Sequence, residues 1–369
     1  MIKFTFSITD SLDFSIPSRS EILTIVVALF AFLPAKLYYL ATATLASGIF
    51  LLLTNITVKK KILPDVKINI KNFSFGLVKT LIAAGIWMSL AQLSTVLLSG
   101  LDLLICNLTI GAGLMGILSI AKTVPTSFAT LIATLASVFT PHYTILYAKN
   151  DIKGLVKEVQ FTSKIVSLIL TVPIAGFIVF GINFYTLWQP TKTHNEIIMI
   201  QILSVLTCIQ YLFTAHTQCL TMLNSVCNKM KIPVLMALGI GLFSTMTVLV
   251  IVWFFNVGDN AIYVIAGVSS LLMSLRAIIF IPIYSAWLLK QKKTIFYPSI
   301  LRGWLAFAVC TALFYVVSLF VSINSWVSLI LICVPLGIIG YIICIPLLFN
   351  KNETSKLTSK IKNKLSKAK

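Results

Sequence analysis

Asp102, Lys122 and Arg276 are charged residues set inside hydrophobic stretches, where a charge is costly unless a partner or water takes it. Asp102 and Lys122 flank a short turn at Gly111 and Gly113. At 1.5 Å of rise per residue, both lie within about 20 Å of that turn and at similar depth. Two readings follow: an ion pair that locks the hairpin, or a charge cluster that meets an anionic ligand or couples to a cation. Arg276 sits near the middle of its own hydrophobic stretch, with no acidic partner on its helix. A basic residue there costs about 2.5–3.5 kcal/mol on insertion scales. It is therefore expected on the polar side of a bundle, sharing a face with Ser269, rather than between acyl chains.

Polar residues at i+3/i+4 spacing extend these positions into stripes. One comprises Ser89, Gln92, Thr95, Ser99 and Asp102; a second comprises Ser119, Lys122, Thr126, Thr130, Thr134 and Ser137. A third runs through Gln201, Ser204, Cys208, Tyr211 and Gln218. Stripes of this kind face neighbouring helices or a water-filled path. The candidate ligand contacts are thus Lys122, Arg276, Asp102, Gln92 and Gln201. Catalytic and metal-binding patterns are missing: there is no phosphate-binding glycine loop, nucleophile elbow or metal-ligand spacing. His142 and His194 fall near span ends, and His216 has no neighbouring ligand, which favours packing. The seven cysteines form no C-x-x-C pair, and all but Cys227 lie in apolar runs, so they read as small helix residues. Neither an enzyme nor a cofactor is expected.

The elements that position these residues follow from charge and hydropathy. Apolar residues make up 58% of the chain and charged ones 11%, against about 25% charged in soluble domains. The stretches 59–79, 149–164, 229–231, 290–302 and 351–369 hold 23 of the 29 Lys and Arg residues. The alternate loops near Asn107, Trp188, Asp259 and Asn324 hold one, Lys192. Basic loops stay cytoplasmic during insertion. The pattern therefore predicts an all-α, polytopic membrane protein of about nine helices, with its C-terminus in the cytoplasm. The spans fall near 35–55, 78–106, 112–146, 163–184, 197–223, 234–256, 261–289, 299–321 and 326–349, each long enough for a bilayer core. Trp188, Trp253, Trp287 and Trp326 lie near the interfaces. Pro125, Pro173, Pro233, Pro282 and Pro335 lie in or at the ends of spans, as kinks or hinges.

The apolar run 22–54, broken by Pro34 and Lys36, reads as one crossing after an interfacial segment, or else as a short hairpin. No basic n-region with an apolar h-region opens the chain, so no cleavable signal is expected. The net charge of +19 lies in loops that orient helices and meet anionic headgroups at roughly 1 kcal/mol per residue. Membrane lipids are the expected partners of this charge, not nucleic acid.

Several segments resemble one family. Gly85-Ile-Trp-Met-Ser-Leu through Leu101-Asp-Leu-Leu-Ile-Cys-Asn is similar to the opening of the second lobe in Wzx-type polysaccharide flippases. Ser119-Ile-Ala-Lys-Thr-Val-Pro, Val138-Phe-Thr-Pro-His-Tyr and Phe184-Tyr-Thr-Leu-Trp-Gln-Pro fit the same pattern. Ile62-Leu-Pro-Asp-Val-Lys resembles the linker between lobes. The likeness runs from about Lys36 to the C-terminus; it is specific in 60–190 and mainly hydropathic beyond.

The resemblance implies the multidrug/oligosaccharidyl-lipid/polysaccharide exporter fold: two six-helix lobes around a cavity, with two extra C-terminal helices in some members. It implies translocation of undecaprenyl-diphosphate-linked oligosaccharide across the cytoplasmic membrane, with cationic cavity residues meeting the diphosphate. Lys122, in its Ala-Lys-Thr context, matches the family motif; Arg276 rests on depth and charge. The implied organisation is 1–57 with the last helix of the first lobe, 58–77 a basic linker, 78–289 the second lobe, 290–349 two further helices and 350–369 a Lys-rich tail. Most of a first lobe is absent, so the facing wall is expected from another polypeptide or a second copy, and the chain alone is expected not to transport. The alternatives are a multidrug exporter of the same superfamily, a membrane enzyme of the polysaccharide pathway, and an inactive fragment.

Overall fold

The computed structural model describes residues 37–62, 74–255, 258–350 and 353–354. All regular structure among them is helical. Two units divide near Lys79. The first contains helix α1, Leu37–Ile62, whose apolar part, Leu45–Thr57, is shorter than the later spans. The choice between one crossing and a hairpin over 22–54 turns on residues outside the described set, as do most of the linker and the C-terminal tail.

Helix α2 is Phe75–Thr95, and from Thr80 onward the chain forms the second unit. A π-helical turn, Val96–Gly100, joins α2 to α3, Leu101–Thr109. The succession continues with α4 (Ala112–Ser137), α5 (Thr140–Ala148), α6 (Ile152–Trp188) and α7 (His194–Val226). It closes with α8 (Lys231–Phe254), α9 (Ala261–Leu275), a second π turn (Arg276–Phe280), α10 (Ile281–Leu288), α11 (Tyr297–Ser318) and α12 (Trp326–Leu348). Eight described segments are long and apolar enough to cross a membrane, and they match the eight predicted spans that follow the first. The protein is an all-α, multi-span membrane protein.

Local chemistry sets the boundaries. Asp151 accepts from Gly154 N at 2.8 Å and caps α6. Thr193 and Glu196 form a capping box at α7, and Glu196 also takes Lys192 at 2.9 Å, which neutralises the lone cation of the basic-poor loops. Gly111 turns α3 into α4 at φ 120°, a conformation that favours glycine.

Packing is centred on α6 and α7. Helices α4 and α9 lie against α7, and α11 and α12 lie against α6. Close approach between helices depends on missing side chains. A Cβ on Gly181 would overlap the Gln201 amide, and one on Gly303 would overlap the His216 imidazole.

Three of the proline kinks are pinned. A proline leaves the carbonyl four residues earlier without its helical donor, and inside a bilayer that carbonyl needs another. Pro125 frees Ala121 O, which accepts from Ser204 Oγ at 2.9 Å. Pro173 frees Ile169 O, which accepts from the Tyr341 hydroxyl at 3.0 Å. Tyr297 donates to Ile278 O, four before Pro282, at 3.0 Å. A hydroxyl from another helix therefore fills each of these three gaps. Tyr341→Phe is expected to strand the Ile169 carbonyl at a cost of about 1–3 kcal/mol, read as a lower melting temperature in detergent. Tyr315→Phe, on an exposed ring of the preceding helix, should leave the melt unchanged; equal melts for the two variants would refute the pin.

Candidate functional site

Asp102 enters α3 in its first turn, directly after the π turn. It lies nine residues before Gly111, and Lys122 lies eleven after, so their backbones sit about 14 and 17 Å from the turn. Helical Cα–Cβ bonds tilt toward the N-terminus, which in α4 points back toward the turn, and the lysine side chain closes the remaining offset. Lys122 Nζ reaches Asp102 Oδ2 at 2.6 Å, with the side chains 12% and 9% exposed. Ser269 Oγ, from α9, donates to the same oxygen at 3.4 Å. The expected pair is formed, and it ties three helices together.

Below the pair, the second stripe stays open. Ser119, Thr126, Thr130, Thr134 and Ser137 are exposed along α4. Thr126, Thr130 and Thr134 each donate back to the carbonyl four residues earlier, at 2.9–3.0 Å. That bond consumes the hydroxyl proton and leaves oxygen lone pairs facing outward. Ser89, Gln92 and Thr95 are likewise exposed on α2.

The remaining candidates are placed apart. Gln201 is turned into the α6–α7 seam, where its Nε2 donates to Phe177 O and Ile178 O at 3.2 Å. Its stripe is packing: Ser204 meets Tyr185 at 2.8 Å, and Cys208 is fully buried. Arg276 lies seven residues beyond Ser269, about 10 Å further along the helix. It lines its own cavity of about 250 Å³ with Ser94, Thr95, Asn224 and Ser225. This is the polar side expected for it, though away from Lys122. Asn224 carried no signal in the sequence, because its place depends on how α7 ends against α8. Lys164, counted with the basic loops, is buried against Glu353 at 2.8 Å and does not face headgroups. His216 bonds Ser167 at 2.7 Å within the core, consistent with packing. Among the described residues, no group of three or more His, Cys, Asp or Glu could hold a metal.

No family model matches the chain, and no solved structure does. Over 309 residues it is 26% identical to a Bacillus subtilis (strain 168) protein named "Uncharacterized membrane protein EpsK". It is similar to a bacterial membrane protein. The match takes in 83% of this chain and 59% of that protein, so the chain spans about three-fifths of the relative's length. Similarity over so many residues fits a shared multi-span architecture.

Proposed function

We propose that the protein forms one wall of a flippase that turns undecaprenyl-diphosphate-linked oligosaccharide across the cytoplasmic membrane for surface polysaccharide synthesis. It catalyses no covalent change. The observation that carries this reading is the exposed hydroxyl face of α4, headed by Lys122 beside its buried acid. A membrane helix gains nothing by presenting such a face to lipid, whereas a translocating sugar offers hydroxyls to match it. The Lys122 ammonium bridges Asp102 and a phosphoryl oxygen, so the diphosphate is held without a full unpaired charge in the protein. The resemblance over 60–190 supports the same substrate class. The basic loops support a cytoplasmic C-terminus, and a first six-helix lobe or a second copy supplies the facing wall.

The test is photocrosslinking in native membranes with a benzophenone-bearing polyprenyl diphosphate trisaccharide. Adducts should map to Thr126–Ser137 and fall at least tenfold in Lys122→Gln, with partial retention in Lys122→Arg. Adducts indifferent to Lys122, or displaced by a lipophilic cation rather than by unlabelled diphosphate sugar, would overturn the reading and favour a multidrug exporter.

A further inference from the structure

The cavity at Arg276 has a chemistry of its own. Arg276 Nε is buried and has no hydrogen-bond partner, and none of the ion pairs among the described residues involves Arg276. Asn224, 8% exposed, lines the same cavity with its Oδ1 also buried and unpartnered. One wall thus holds a cation that needs an acceptor, and another holds an acceptor that needs a donor. Leaving either unmet costs free energy in a low-dielectric interior. No acidic residue lines the space. Met230 is the N-cap of α8 and Pro233 lies in its first turn, at the helix end that favours anions, and Lys229 and Lys231 adjoin it. A π turn begins at Arg276 itself, a distortion that recurs at functional positions.

We infer that this cavity is a binding site for a glycerophosphoryl group, the headgroup of an anionic phospholipid. Its phosphate oxygens accept from the Arg276 guanidinium, and its alcohol bonds the Asn224 side-chain amide, the two polar groups that line the space from facing helices. The volume of about 250 Å³ is about eight times the ~30 Å³ share of a water in the liquid, room for a phosphate with its alcohol. Neither Lys122 nor Asp102 lines this cavity, and Arg276 lies about 10 Å along the helix from Ser269, so this site is distinct from the Lys122 face. Basic pockets between membrane helices near the basic end suit such headgroups.

Native mass spectrometry of the purified full chain in detergent tests this, with phosphatidylglycerol, phosphatidic acid and phosphatidylcholine as probes. Wild type should retain phosphatidylglycerol at least tenfold over phosphatidylcholine. Arg276→Gln should abolish that preference. Ala237→Leu, which fills the cavity from the α8 wall and keeps the arginine, should abolish it too, so a folding defect in one variant does not decide the matter. Lys293→Gln, in an exposed loop, should change nothing. Asn224→Leu should erase discrimination between phosphatidylglycerol and phosphatidic acid, which has no free alcohol. Displacement by soluble glycerol 3-phosphate would assign the group to a soluble ester, and retention against it would assign the lipid; both keep the site. A preference that survives Arg276→Gln and Ala237→Leu, or is lost equally in Lys293→Gln, overturns it.

Discussion

Lys122→Met is expected to destabilise the bundle by about 3–5 kcal/mol, because it leaves the Asp102 carboxylate buried without its counter-charge. The pair is mostly enclosed, so water does little to replace the ammonium. The double variant Lys122→Met/Asp102→Asn should recover most of that loss, since apolar and neutral replacements of both partners are often tolerated. Unfolding in detergent and the yield of monodisperse protein read the difference. Single and double variants with equal stability would show that the pair is not what holds α3, α4 and α9. The double variant also separates folding from function: it should be stable yet give no Lys122-dependent crosslink to the diphosphate sugar.

Gly303→Val should be comparably damaging. The new Cβ falls on the His216 imidazole and near Ser167 Oγ, 2.9 Å away. The ring must swing off Ser167, so overpacking of about 1–3 kcal/mol adds to a stranded buried polar group worth about 1–3 kcal/mol. Pairing Gly303→Ala with His216→Ala moves volume from one side of the seam to the other and should melt well above Gly303→Val. If Gly303→Val alone melts like wild type, α11 is not seated on α6 and α7 as described.

The spans were legible because two signals agree. Lysines mark alternate loops, and the stretches between them are long and apolar. The Asp102–Lys122 pair was legible for a similar reason: a two-glycine turn fixes the hairpin, and counting residues on each side matches the depths. Gln201 was misplaced because periodicity finds a face without naming what lies opposite. Here the opposite residue is Gly181, whose bare backbone draws the amide into a helix seam. The stripe from Ser89 to Asp102 carries a related error. The π turn at Val96–Gly100 is wider than 3.6 residues, so it shifts the register: Gln92 remains exposed while Asp102 is buried. Its widened backbone is met by α8, where Thr245 donates to Leu97 O at 3.4 Å. Nothing local in the sequence announces that contact. The Arg276 cavity was half legible, in the arginine but not in Asn224.

The hydroxyls that meet the proline carbonyls share a direction along the chain. Ser204 follows Pro125, Tyr297 follows Pro282, and Tyr341 follows Pro173. Each of these three kinks is therefore synthesised before the residue that completes it. During insertion, α6 enters the bilayer with the Ile169 carbonyl unmet and keeps it so until α12, the last helix described, has been made. A ribosome that stalls before α12 leaves a polar defect at mid-membrane, the kind of lesion by which a membrane protease could tell an unfinished chain from a finished one. The order of translation is thus built into the hydrogen bonding of the bundle, with α12 completing a kink made five spans earlier.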